Sequence, residues 1–357
     1  FDQNLESDYF GGAFQASNIR DRAKLRRLQN ELYLAYHTKT LGKLTFRALH
    51  YNYNYFFNSI VYTDDGVITN QLKGNEIAFG GMWKHRVAGI DLSADLMINV
   101  SGNLGGNTFH AGAAYAIDTD KMLEGKISLS ERMPDFNALL YQSDYIAYNW
   151  QNTEIFSPER LQQFQFQFRS KRWFTVGIDV TVLDNYTYFA QDFSGIDSQI
   201  RPFQYANTIN HFKIRLEKEF KFGKFALNNT IMYQNVRQDA TVINVPEWTT
   251  RNTLYFSDYL FKKALYLQTG LNFKYFTRYN ANAYNPLLGE FYVQSQQEIG
   301  NFPLIDFFIN AKVKQTRIYL RAEHFNSAFT GYNFYSAPSY PYRDFIVRFG
   351  LVWNFFL

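Results

Sequence analysis

Charged side chains in this chain occur at every second position of segments whose other positions are apolar. In residues 207–220, Lys213, Arg215 and Glu217 alternate with phenylalanine, isoleucine and leucine. A period of two is produced by a β-strand, so the charged and the apolar residues lie on opposite faces. Together such charges can keep a surface hydrated and attract or repel ions that pass along it.

The same alternation predicts a shared polar face that lines a water-filled interior. The charged residues expected on this face are Arg47, Asp91, Asp95, Lys126, Arg169, Asp179, Lys213, Arg215, Glu217, Arg251, Lys274, Asp306, Lys312, Arg317, Arg321, Glu323 and Arg348. Basic residues are in slight excess, which favours a weak preference for anions. An alternative is that the charges pair across neighbouring strands and brace the wall.

Residue patterns typical of enzymes are not found. The chain has no cysteine, and its six histidines are scattered without the spacing of a metal site. His324 follows Glu323, but adjacent residues of a strand point to opposite faces and cannot form a dyad. We therefore expect no catalytic residue, no metal, no cofactor and no enzymatic activity.

The elements that position the charged face are alternating segments of about ten residues, the length at which a tilted strand crosses a bilayer. They cover 28–39, 43–55, 74–84, 87–100, 107–117, 122–133, 160–170, 173–183, 207–220, 224–236, 247–257, 264–277, 304–314, 316–326 and 343–357. A soluble β-sandwich also alternates, but these segments are too many and too uniform for one sandwich. No apolar run is long enough for a transmembrane helix.

The connections alternate between short and long, as in bacterial outer-membrane barrels. Short turns are predicted at 39–43, 84–86, 118–121, 170–172, 221–224 and 314–316, and long loops at 56–73, 134–159, 184–206, 277–303 and 327–342. The predicted fold is an all-β, transmembrane, antiparallel up-and-down β-barrel of about 16 strands (range 14–18). The short turns are expected on the periplasmic side and the long loops outside.

The predicted division is an N-terminal segment, 1–27, followed by the barrel, 28–357. Fifteen segments is an odd number, whereas bacterial single-chain barrels use even numbers. Either 8–20 hides one more strand, or the chain is the back part of a longer barrel.

Aromatic residues are abundant, with 36 phenylalanines and 27 tyrosines, and several lie near segment ends. Tyrosine and tryptophan favour the membrane–water boundary. The residues predicted to form an aromatic girdle are Trp83, Trp173, Tyr186, Tyr188, Trp248 and Trp353. In the last segment, Phe349, Leu351, Trp353 and Phe355 alternate in the manner of a signal read by the barrel-assembly machinery.

The loop 134–159 is long and unusually apolar for an exposed connection. Wide barrels leave an aqueous channel that an inward-folded loop can narrow. We expect this loop either to constrict the interior or to pack on the rim or on a partner protein.

The C-terminal part resembles a known family. The segments YLRAEHFN (319–326), TGY (330–332), APSYP (337–341) and RFGLVWNF (348–355), with YNP (284–286), FYVQ (291–294) and IGNFPLID (299–306) upstream, are similar to the Bacteroidota outer-membrane "putative porin" family. The EHFN ending also resembles the close of TonB-dependent receptor barrels. The specific likeness covers about the last 80 residues. It implies a location in the bacterial outer membrane more strongly than it implies transport.

Together, these features predict a porin that lets small hydrophilic solutes diffuse through a polar lumen. The alternative is a structural or accessory barrel in a larger secretion or nutrient-uptake complex, with aromatic loops as docking surfaces. Expected partners are outer-membrane lipid, lipopolysaccharide, hydrophilic solutes, the barrel-assembly machinery, and further copies of the chain or other outer-membrane proteins. A net charge of +4, evenly spread, argues against nucleic acid.

Overall fold

The computed structural model describes residues 1–58, 60–63, 66–193, 199–331 and 334–354. Within these residues, fifteen strands form one antiparallel sheet, and each strand pairs with its neighbours in the chain. The strands are β1 Lys24–Thr38, β2 Gly42–Phe56, β3 Gln71–Val87, β4 Ile90–Ser101, β5 Asn107–Ala116, β6 Lys121–Arg132, β7 Glu159–Ser170, β8 Thr175–Asp184, β9 Ile209–Phe222, β10 Phe225–Arg237, β11 Trp248–Leu260, β12 Leu265–Phe276, β13 Leu304–Val313, β14 Thr316–Glu323 and β15 Ile346–Trp353. This is an up-and-down order.

Each of the fifteen predicted segments corresponds to one strand of this sheet, so the all-β, antiparallel prediction is confirmed. Strands β1 and β15 form the two edges of the sheet. Side chains from β9 through β14 line one shared cavity, which indicates that the sheet is strongly curved. From this curvature and the up-and-down order we infer the barrel.

Of the two alternatives for the odd strand number, a sixteenth strand of the sheet within 8–20 is not found among the described residues. Asp8–Phe10 is a single 3₁₀ turn, and Ser17–Arg20 pairs with Asp2–Leu5 in a separate small sheet. These residues pack against loops, as described below, and β1 begins at Lys24, before the predicted boundary at residue 28.

The alternation of connection length is confirmed, with one turn misplaced. Strand β3 continues through residues 84–86, where a turn was predicted, and the reversal lies at Ala88 and Gly89. Both residues have positive φ, 49° and 83°. Two-residue hairpins require positive φ at their central positions, and glycine adopts it without strain.

The long connections contain short elements of their own. The helices are α1 Phe136–Leu139 and α2 Ser327–Thr330. Further short strands are Val61–Thr63, Gly66–Ile68, Leu140–Tyr141, Trp150–Gln151, Thr187–Asp192, Gln199–Gln204, Tyr279–Asn280, Ala283–Asn285, Glu290–Val293, Glu298–Ile299, Tyr335–Ala337 and Tyr340–Pro341. Among the described residues, no helix is long and apolar enough to cross a bilayer.

The large sheet has an unusual distribution of apolar side chains. Leu32, Phe46, Ile98, Phe166 and Leu216 point away from the concave side and are between 42% and 72% exposed. Most of the fully buried apolar side chains lie instead in the long connections and in residues 1–23. A sheet that exposes its apolar face and keeps polar groups on the other suits a lipid surround.

Candidate functional site

The pairing register places all seventeen charged residues predicted for the polar face on one face of the sheet. For example, Asp179 pairs with Lys213, and Lys274 pairs with Arg251, and directly paired residues share a face. When the paired positions are followed from strand to strand, Arg47 in β2 and Arg348 in β15 lie on this same face. That this face lines a lumen remains a prediction.

Arg47 makes the most enclosed ion cluster near the first strands. Its Nε lies 2.7 Å from Glu31 Oε1, and its Nη1 lies 3.0 Å from Asp95 Oδ1. All three side chains are at most 30% exposed. The sequence analysis did not single out Glu31, although its place in the alternation of β1 puts it on this face. The cluster links β1, β2 and β4 and braces the wall.

Two carboxylates organise the opposite end of the sheet. Asp306 Oδ2 lies 2.9 Å from Lys274 Nζ and 3.2 Å from Arg321 Nη2, and it is nearly buried. Glu323 Oε2 lies 2.8 Å from Arg343 Nη1 and 3.7 Å from Arg348 Nε. These contacts tie β12, β13, β14 and β15 together.

The remaining predicted residues divide into paired and unpaired. The ion pairs are Arg86–Asp91 (3.6 Å), Lys126–Glu124 (2.7 Å), Lys213–Asp179 (3.2 Å) and Arg215–Glu217 (3.4 Å). Among the residues that the structure describes, Arg169, Arg251, Lys312 and Arg317 make no ion pair. The polar face therefore combines pairs across neighbouring strands, pairs within one strand, and positive charges without an ion pair among the described residues.

The predicted girdle residues occupy two kinds of environment. Trp173, Trp248 and Trp353 are 47% to 58% exposed at strand ends, and the Trp83 indole donates to the Leu41 carbonyl in a short turn. Tyr186 and Tyr188 instead stack on each other beside a small buried cluster that includes Tyr205 and Ile209. Burial against these loop side chains raises the pKa of both tyrosines. The girdle role remains a prediction.

The residues of the predicted assembly signal are largely exposed. Phe349, Leu351 and Trp353 are 84%, 60% and 58% exposed on the outward face of β15. Phe355 and Leu357 lie outside the described residues.

Five segments pack together at the rim that carries the long connections. We call them the loop cluster: residues 1–23 and the described parts of 57–70, 133–158, 185–208 and 277–303. Its apolar core contains Ile19, Leu140, Tyr145, Tyr148 and Trp150, none more than 2% exposed. The predicted apolar loop 134–159 therefore packs inside this cluster, largely shielded from solvent.

Contacts within the loop cluster join connections that belong to distant strands. Tyr141 Oη, from the connection between β6 and β7, donates to the Leu287 carbonyl, between β12 and β13, at 2.8 Å. Gln142 Nε2 donates to the carbonyls of Ile68 and Thr69, between β2 and β3. Because the sheet is curved, connections from such distant strands can meet only across its concave side. The loop cluster therefore lies across the long-loop end of the polar face, which would be one mouth of the inferred barrel.

Residues 1–23 hold the loop cluster together, a role that the sequence analysis missed. Tyr145 Oη accepts a hydrogen bond from Ser7 N at 2.9 Å, and Ala13 forms a β-bridge with Tyr145. Asp21 Oδ1 accepts from Asp144 N at 2.8 Å. The signal in the sequence was weak, because the apolar residues of this stretch, among them Phe10 and Ile19, are scattered without a regular period.

Two carboxyl groups of the loop cluster have altered acidity. Burial raises the pKa of Asp21 above its ordinary value, although hydrogen bonds from Ser143 and Asp144 oppose the shift. Burial likewise raises the pKa of Glu290, against a hydrogen bond from Asn137. Both groups are therefore held closer to their neutral form than exposed carboxyls are.

Comparison with known proteins gives a family and a fold. The profile of the family described as "Putative porin" matches residues 1–357. No curated protein sequence matches the chain. Among solved structures, a ferric enterobactin receptor (PfeA) mutant from Pseudomonas aeruginosa superposes with a TM-score of 0.67 at 11% identity, covering 97% of this chain and 57% of that one.

Two further receptors give similar values. The siderophore receptor PirA from Acinetobacter baumannii has a TM-score of 0.64 at 10% identity, covering 97% of this chain and 57% of PirA. The FrpB iron transporter from Neisseria meningitidis has a TM-score of 0.62 at 10% identity, covering 94% and 56%. At these identities the likeness shows the fold alone. The chain spans less than two thirds of the length of each structure.

Proposed function

Because the chain belongs to the family described as "Putative porin", which makes it an integral outer-membrane β-barrel protein, we propose that it lets small hydrophilic solutes diffuse across that membrane along its polar face. The observation that carries the proposal is the register, which collects seventeen predicted charged residues on one face while apolar side chains occupy the other. Hydrated solutes need such a polar wall, because an apolar one would strip their water.

In this proposal the loop cluster sets which solutes pass. It lies across one mouth, and its apolar core is closed by contacts from five segments. Passage therefore depends on gaps around the cluster or on its partial opening. We expect modest conductance rather than the large open pore of an unobstructed wide barrel.

The direct test is single-channel conductance of the purified protein in a planar bilayer. Discrete ohmic steps support an aqueous pore, and partial block by sugars of graded size then gives its cutoff. A silent bilayer, with insertion verified by protease protection, contradicts passive diffusion.

A second candidate function is an accessory barrel in a larger outer-membrane complex. Three aromatic side chains of the long-loop rim favour it, because Tyr62, Phe193 and Phe329 are 74% to 83% exposed. Exposed aromatic residues are typical of docking surfaces. Stoichiometric partners that co-purify in mild detergent, and are lost from a variant with all three residues changed to serine, favour this function. A lone monomer or self-oligomer favours the porin.

Lipid, lipopolysaccharide and the barrel-assembly machinery are proposed partners, and catalysis is not part of the proposal. The exposed alternation of Phe349, Leu351 and Trp353 on an edge strand supports recognition by the machinery. Aspartate at Phe349 and Trp353 is expected to lower the amount of inserted protein.

A further inference from the structure

Three pairs of positive charges face each other directly across neighbouring strands. Arg251 pairs with Lys274, Lys312 with Arg317, and Arg321 with Arg348. All six lie on the polar face of β11 to β15. Like charges directly opposite each other destabilise a sheet. The Arg251–Lys274 pair lies near the long loops and the Lys312–Arg317 pair lies beside a short turn, so the three pairs are spaced along these strands and give this side of the polar face an excess of positive charge.

The carboxylates nearby balance only part of this charge. Asp306 contacts Lys274 and Arg321, and Glu323 contacts Arg348. Arg251, Lys312 and Arg317 are exposed and form no ion pair with any residue that the structure describes. Strands β1 to β4 differ, because Arg47 there is held between two carboxylates.

A cavity of about 570 Å³ opens on the same region. Arg251 and Arg321 both line it, together with Asn272, Asn310 and Tyr319, and the carboxylate in its lining, Glu219, is paired with Lys221 at 2.9 Å. The Tyr319 ring lies directly over Gly350, where an added Cβ would come within 2.4 Å of ring atoms. The glycine therefore lets the phenol lie flat against the wall. The cavity offers guanidinium and amide donors beside one aromatic face, in a volume that suits a small organic solute.

We propose that this cavity is a binding subsite for small solutes that carry carboxylate or phosphate groups. Guanidinium groups match both anions, because two parallel N–H donors meet two oxygens. Amide donors of Asn272 and Asn310 can bind the remaining polar atoms. A bound anion reduces the repulsion between the opposed cations. A binding role therefore accounts for the presence of these cations on the polar face. The inference rests on the proposed function and names the class of solute that it favours.

The test is equilibrium binding of citrate and, separately, of inorganic phosphate to the detergent-solubilised protein by calorimetry. We expect binding that weakens as salt increases, and at least a tenfold loss of affinity in Arg251→Gln. Arg251→Lys keeps the charge and is expected to recover part of the loss. Arg172→Gln, in a short turn outside the cavity, is the matched control and is expected to bind as the unaltered protein does. Comparison of the two probes identifies the preferred anion.

Equal binding by the unaltered protein and by Arg251→Gln, with heat-modifiable gel mobility intact, overturns the inference. Conductance separates this failure from failure of the proposed function. If ohmic conductance steps are seen, neither probe reduces them and no binding is detected, the proposed pore stands and the subsite is rejected. If citrate binds but the bilayer shows no conductance, the subsite is supported and passive diffusion is rejected.

Discussion

Single charged residues on the polar face have two different tasks. Arg47 sits between two carboxylates, whereas Arg251 and Arg317 make no ion pair with any described residue. A cation between carboxylates keeps them from repelling each other, and removing it leaves that repulsion uncompensated. An exposed cation contributes little to stability and is available to a solute.

Arg47→Met is therefore expected to destabilise the fold. The change leaves Glu31 and Asp95 facing each other without a cation, at a loss of roughly 1–3 kcal/mol, reduced by their partial exposure. The readout is the temperature at which the folded band disappears in a heat-modifiable gel. Arg169→Met is the control, because its guanidinium forms no ion pair with a described residue and donates a hydrogen bond to the Gln167 side chain. Equal midpoints for the two variants would contradict the bracing role.

At the scale of secondary-structure elements and their connections, the loop cluster is the most important feature. Its five segments contain little regular structure, yet together they bury Tyr145 and Leu140 completely. Stability in this region comes from packing between connections rather than from strand pairing. A single substitution in the loop cluster can therefore change how readily it opens.

Tyr145→Ala is expected to loosen the loop cluster and raise conductance. The variant removes a fully buried ring that contacts Phe10 and loses the hydrogen bond from Ser7 N, at about 3–5 kcal/mol for a fully buried aromatic residue. The measurement is single-channel conductance in a planar bilayer. Ile155→Ala, in the same loop but 70% exposed, is the control. Unchanged conductance in the tyrosine variant would mean that the cluster does not limit passage.

Conductance is also expected to fall at acidic pH. The pKa values of Asp21 and Glu290 are raised above the ordinary 3.8 and 4.5. A carboxyl group whose pKa is raised by folding stabilises the folded state fully when the pH is below the ordinary pKa. That contribution is lost as the pH rises through the raised pKa. The loop cluster is thus firmer in acid.

Conductance recorded at about pH 7 and about pH 4 checks this dependence. The double variant Asp21→Asn, Glu290→Gln is expected to lose most of it, because neither side chain then ionises. A rise in conductance on acidification, seen only in the unaltered protein, would show the opposite sign and refute the argument.

At the scale of the whole molecule, the two faces of the sheet must meet different surroundings. Leu216→Arg places a charge on the outward face in mid-strand, where lipid contact costs roughly 2–4 kcal/mol. Asn228→Arg places the same charge on the polar face, beside Glu219 and opposite the neutral Thr253. We expect the first variant to insert poorly and the second to insert normally, as measured by the amount of folded protein in isolated outer membranes. Equal insertion would contradict the assignment of the faces.

Much of this architecture was predictable because a strand records its surroundings in alternate residues. The segment 207–220 already separated Lys213 and Arg215 from their apolar neighbours, and the structure pairs them on the expected face. The turn after β3 was misplaced because alternation continues through its end. Only the positive φ of Ala88 and Gly89 fixes the reversal.

The sequence by itself determined the strands, their order, their two faces and the alternation of turn lengths, since these depend on neighbours along the chain. The tertiary structure alone decided which residues meet across distance. The contact of Tyr145 with residues 1–23, and the direct opposition of Arg321 and Arg348, depend on register and curvature that no local pattern encodes. The loop cluster and the anion subsite both come from that second kind of information.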